Sequence, residues 1–122
     1  MSPHSSAMSN RIVFLTEMAV EAKKTGETLF YVRIPGNIQP LERQSRFEEP
    51  LDALLKEAGI GEVTGGGEQM GNCNNVLYSG LDVYVNDRAL GLQFLRHTLK
   101  SLETPDETVI EEFLPQWQEH NL

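Results

Sequence analysis

The spacing of hydrophobic positions changes several times along the chain, and each change marks an element. From Ser9, the residues Ile12, Leu15, Ala19 and Ala22 recur at helical steps, with Ser9 or Asn10 as a cap. Lys23 and Lys24 suit the negative end of a helix and Gly26 a stop. A helix is therefore expected, although Val13, Phe14 and Val20 fall outside its stripe and Arg11–Leu15 also reads as a strand. Leu29–Ile34 alternates, with Phe30, Val32 and Ile34 on one side and Leu29, Tyr31 and Arg33 on the other. Pro35-Gly36-Asn37 ends that strand, and a loop is expected to about Ser45. Phe47, Leu51, Leu54, Leu55 and Ala58 then form one apolar helical face. Ser45 and Glu48 match a capping box, but Pro50 moves the expected start toward Glu48. Gly59 followed by Ile60 fits a left-handed cap.

Glu62–Met70 reads as a strand interrupted by Gly65-Gly66-Gly67, which places it at an edge, bulged or bent. Gly71–Asn75 has the composition of a hairpin loop. Val76–Val85 is a longer strand with Leu77, Leu81, Val83 and Val85 on one face and Tyr78, Asp82 and Tyr84 on the other. Asn86 or Asp87 caps a second long helix, whose core stripe is Leu92, Leu95, Leu99 and Leu102. Leu90 and Phe94 lie on its opposite side, so a second neighbour is expected, and the N-terminal helix is the candidate. Thr104-Pro105-Asp106 makes a turn, Thr108–Phe113 a last strand, and Leu114–Leu122 a tail holding Trp117. Residues 1–8 are expected to be a flexible, Ser-rich N-terminal tail, with Met8 as an alternative start, and residues 9–122 a single domain.

The order is a helix, then β-α-β-β-α-β, then a tail. It predicts an α+β protein of ferredoxin-like βαββαβ order with a four-stranded antiparallel sheet, an N-terminal helix and an acidic C-terminal tail. The strands beginning near Thr28 and Val76 are expected in the centre, with both main helices on one face. The other face is left over. It carries Tyr31 and Arg33 beside Tyr78, Asp82 and Tyr84.

Composition narrows the function of that face. At 122 residues and 39% apolar, the chain fills one domain with its own core. Its single cysteine excludes a disulfide framework and a Cys-based zinc site. No apolar run approaches the roughly 20 residues that span a bilayer, and no signal-peptide pattern occurs, so a cytoplasmic protein without a membrane partner is expected. Aromatics on central strands of this architecture stack bases in RNA-recognition modules. A net charge of −8 and the absence of a Lys/Arg-Gly-Phe run oppose nucleic acid here. The face is left to pack under the chain's own ends, to self-associate, or to bind a protein, for which Tyr, Trp and Arg are typical anchors.

Charge is unevenly spread. Residues 1–100 hold ten basic and twelve acidic side chains, whereas residues 101–122 hold six acidic and no basic ones. This end reads either as a solubilising segment or as an acidic docking surface for a basic partner, with Glu111, Glu112, Glu119 and Trp117 as contacts.

Signatures of chemistry are sparse. Gly65-Gly66-Gly67 is followed by Glu68 rather than by Gly-Lys-Ser/Thr, so it serves backbone conformation rather than phosphate. Cys73 has no neighbouring His, Lys or Arg to activate it. His4, His97 and His120 share no ligand spacing, so neither a metal nor any other cofactor is expected. Ser79-Gly80 lacks the lead of a nucleophile elbow, and no carboxylate pair is singled out as acid and base.

Phe47-Glu48-Glu49-Pro50-Leu51, Gly61-Glu62-Val63-Thr64-Gly65-Gly66-Gly67 and Val109-Ile110-Glu111-Glu112 carry a resemblance. The stretch Phe47–Glu112 resembles small bacterial proteins of uncharacterised function with the ferredoxin-like order. That resemblance implies a fold and a bacterial cytoplasmic setting, and no catalytic residues. The Gly61–Gly67 run is similar to one in nitrogen-regulatory trimers, whose basic nucleotide-contacting positions are not matched. Acylphosphatases share the order, but their arginine-bearing phosphate loop is missing, and the Cys-x-x-Cys of metallochaperones is absent.

The function expected is a non-enzymatic protein-binding module. It is of the kind seen in acidic inhibitors or toxin-immunity proteins that act on a more basic partner. Tyr31, Arg33, Tyr78, Asp82, Tyr84, Glu111, Glu112, Trp117 and Glu119 are its candidate partner-binding residues. The alternatives are a homo-oligomeric regulatory domain sensing a small ligand and an enzyme on the open sheet face, with Arg33, Asp82 and Tyr84 in its site.

Overall fold

The computed structural model describes residues 3–122, with side chains described from Asn10 onward. Helix α1 (Pro3–Lys24) leads into β1 (Thr28–Pro35). A short α2 (Pro40–Arg43) continues through a π-helical turn, Gln44–Glu48, into α3 (Glu49–Ala58). The antiparallel strands β2 (Gly61–Met70) and β3 (Val76–Val85) follow, then α4 (Arg88–Ser101), β4 (Val109–Glu112) and β5 (Gln118–Asn121). The result is an α+β protein with three helical units and one open, five-stranded antiparallel sheet in the order β2-β3-β1-β4-β5.

Local chemistry accounts for most of these boundaries. Gly26 (φ 80°) and Gly59 (φ 69°) close α1 and α3 in left-handed conformations that a glycine adopts without a Cβ clash. Asp87 caps α4 by accepting a hydrogen bond from the Leu90 amide at 3.0 Å. The β2–β3 connection is a 3₁₀ turn, Asn72–Asn74, in which Cys73 and Asn74 have positive φ. Helix begins at Pro40, earlier than the capping pattern predicts. Pro50 lacks an amide hydrogen, and the wide π turn just before it, where Glu49 N–H reaches Gln44, lets one helix run on into the proline. Helix α1 also starts at Pro3 rather than Ser9; of the expected 1–8 tail, residues 1 and 2 lie outside the described residues.

The sheet separates two apolar layers. On one side Phe30, Val32, Ile34, Leu81, Val83 and Val85 pack against Phe47, Leu51 and Leu55 and against Leu92, Leu95 and Leu99, so α3 and α4 share this face. On the other, Leu15, Ala19 and Ala22 of α1 pack on Leu29 and Phe113. Helix α1 is thus not the second neighbour of α4. Leu29 and Phe113 point away from the main core and need cover, and the small side chains Ala19 and Ala22 let the helix lie close on them.

The sheet has five strands, not four, because Gln118–Asn121 pairs with β4 in the register Ile110↔His120 and Glu111↔Glu119. No hydrophobic alternation announces β5, whose polar residues are held by the ladder, by His120 against Glu112 (2.9 Å) and by Arg96 Nε donating to the Asn121 carbonyl (2.8 Å). The glycine-rich β2 is an edge strand, and its register slips at Val63/Gly65 and Gln69/Met70.

Candidate functional site

The sheet face under α1 holds most of the residues singled out from the sequence, Glu112 excepted, and the structure sorts them into an inward group and an outward group. Glu111 leads the inward group. It is 0% exposed and lies beside Tyr31 across the β1–β4 ladder. Its Oε1 accepts from Arg11 Nη1 at 2.7 Å, and its Oε2 accepts from Arg11 Nη2 at 3.0 Å, Trp117 Nε1 at 2.8 Å and Arg33 Nη1 at 3.4 Å. Arg33 also pairs with Glu119. The Arg11 guanidinium sits 5.1 Å from the Tyr31 ring centre and 5.8 Å from that of Tyr78. Burial works against the charge of Arg11, but Glu111 outweighs it and raises the guanidinium pKa. Burial and the neighbouring Tyr78 raise that of the Tyr31 phenol.

Glu112 points to the opposite face and is also buried. It accepts from Arg88 Nε at 2.5 Å and Nη2 at 2.7 Å, and its Oε1 lies 2.9 Å from His120 Nε2. Burial alone would raise its carboxyl pKa, but the bonds from Arg88 and His120 hold it below the ordinary value. The oxygens of Glu111 and Glu112 are therefore engaged inside the molecule. The expected acidic docking surface does not form at these two residues; the like-looking pair Glu111-Glu112 lies on a strand and is sent to two separate ion-pair clusters.

The outward group comprises Asp82 and Tyr84, with Tyr31 and Tyr78 bordering it. In register, Asp82 stands between Tyr31 on β1 and Gly65 on β2, and Gly80 stands opposite Gly67. Gly80 has no room for a side chain, because a Cβ there would fall 1.8 Å from the Tyr31 hydroxyl. The phenol lies over the bare backbone. At Gly67 a Cβ would meet nothing within 4 Å, and at Gly65 it would meet only Asp82 Oδ2, at 3.8 Å. Gly65, Gly67 and Gly80 thus make a strip of sheet without side chains beside a carboxylate. Burial, followed by the charge of Glu48, raises the Asp82 pKa.

Next to this strip a groove of about 410 Å³ runs between α1 and β3. Phe14, Met18 and Tyr84 supply apolar walls, while Glu17, Glu21 and Glu27 supply three carboxylates. Phe14 is 62% exposed and Val13 57%. These are the α1 residues outside the buried stripe. Sequence reasoning placed α1 beside α4 and so missed the groove glutamates and Arg11. The usable signal was the surplus of apolar residues on a helix that also carries Glu17 and Glu21.

A second cavity, about 360 Å³, lies at the other flank of α1, with Lys23, Arg88, Glu27 and Glu112 among apolar Leu29, Leu114 and Pro115. Its charges are balanced. Among the described residues no group of His, Cys, Asp or Glu is arranged to hold a metal ion, and no helix is long and apolar enough to cross a membrane. Cys73 is exposed in its loop. Comparison with protein-family models, with curated proteins and with solved structures gave no match.

Proposed function

We propose that this chain is a non-enzymatic protein-binding module that receives a basic segment of a partner protein in the groove between α1 and β3. One observation carries the reading: the groove combines Phe14, Met18 and Tyr84 with Glu17, Glu21 and Glu27, and among the described residues no lysine or arginine lines it, Lys24 meeting Glu21 in an exposed ion pair outside the lining. An apolar seat rimmed by one sign of charge favours a segment bearing apolar residues and the opposite charge, with the charges setting encounter rate and specificity. The net charge of −8 acts in the same direction over longer range. This is the profile of an acidic inhibitor or immunity-type protein of a bacterial cytoplasm. The strand order β2-β3-β1-β4 supports a ferredoxin-like core to which α1 and β5 have been added. Relative to the sequence-based expectation, the contact surface moves from the C-terminal acids to the outer flank of α1.

The test is charge reversal on a partner recovered by affinity capture and then purified. The triple variant E17K/E21K/E27K is expected to weaken association at least tenfold and to flatten its salt dependence. E57K, at an exposed position of α3, is the control and should leave both unchanged. Equal affinity of the triple variant and the parent would overturn the reading.

A further inference from the structure

We propose that the glycine strip beside the groove is a seat for one cationic side chain, a guanidinium or alkylammonium, with Asp82 as its counter-ion. This deepens the partner reading and rests on it: it names the group by which a basic partner would be anchored. Three observations support it. Asp82 is the half-buried carboxylate of this face, yet it makes no hydrogen bond and no ion pair among the described residues, whereas Glu111, on the same face across β1, and Glu112, on the opposite face, each accept from several donors. A carboxylate drawn partly out of water without a donor is unfavourable, and an arriving cation reverses that. Second, space is provided. A Cβ at Gly67 meets nothing within 4 Å, and one at Gly65 meets only the Asp82 oxygen, so a flat or slender group reaches the carboxylate across bare backbone. Third, the walls are aromatic. Tyr31 faces Asp82 across the ladder and Tyr84 is the next residue but one on β3. The same cluster already accepts one guanidinium, that of Arg11, within the chain.

The probe is N-acetyl-arginine amide, titrated into the full chain and followed through backbone amide shifts, with N-acetyl-norleucine amide as the uncharged control. Saturable shifts are expected at Gly65, Gly67, Gly80 and Asp82 with the arginine probe and not with the control. Asp82→Asn should weaken the binding at least fivefold. A second variant, Gly67→Val, fills the open space without a backbone penalty in a strand and should abolish it; the same spectra show whether each variant is folded. Absence of saturable shifts, or equal binding by parent and both folded variants, overturns the seat. The groove reading is judged separately. If E17K/E21K/E27K loses the partner while Asp82→Asn keeps both partner and probe, the seat fails and the groove stands. If Asp82→Asn loses the probe while the triple variant keeps the partner, the groove fails and the cation seat is retained.

Discussion

Glu111 has its charge met on three sides, by α1 through Arg11, by β1 through Arg33 and by the C-terminal turn through Trp117. Breaking a buried pair from one side leaves the other charge stranded, which costs about 3 kcal/mol. Glu111→Ala is therefore expected to lower stability by about that amount, read as the urea midpoint at unchanged slope. Trp117, the one tryptophan, loses its hydrogen-bond acceptor in that variant, so its emission should change in the folded state. Asp82 behaves in the opposite sense. Its carboxyl titrates above the ordinary 3.8, so the protonated form favours the fold, and the penalty appears as pH rises through the folded value. Asp82→Asn is expected to be more stable than the parent near pH 7 and to lose that advantage toward about pH 3, as thermal melts across the range would show. The sequence contained both residue types in the right place on their strands. It could not tell which acid would meet a guanidinium, because Arg11 and Glu111 are far apart in the chain and meet only once α1 chooses its face of the sheet.

Among the elements, those with a local cause were readable: the alternation of β1, the stripe of α3, the Gly59 stop and the Asp87 cap all rest on neighbouring residues. Removing the cap with Asp87→Ala should cost roughly 1 kcal/mol, and Asp87→Asn should restore most of it, measured by denaturant titration. What escaped reading is held by long-range pairing. The four polar residues of β5 acquire a strand only beside β4, and the position of α1 depends on Leu29 and Phe113, which its own periodicity does not reveal. The Arg88–Glu112–His120 cluster ties β5 to the start of α4. The Glu112 carboxyl titrates below its ordinary 4.5, so its contribution is present above that value and is lost as pH falls through the folded one. Arg88→Ala removes the stronger donor, and its acid-unfolding midpoint should therefore lie at higher pH than the parent's.

At the scale of the whole molecule, the placement of charge matters more than its sum. The acidic excess of the C-terminal segment is partly consumed by Arg11, Arg33 and Arg88, while Glu17 and Glu27 remain around the groove beside Glu21, which pairs with Lys24 at 3.0 Å. Association with a basic partner should therefore slow as salt is raised, with the dissociation rate changing less, and stopped-flow mixing at several ionic strengths would show the split. The sheet itself ends unequally. At one side stands β2, ten residues long; at the other, β5 offers four. Strand-by-strand polymerisation requires two complementary ends on every monomer, as bricks need both an upper and a lower course. This molecule has one long end and a stub. A strand added at β2 therefore finds a ladder ten residues long, and one added at β5 finds four.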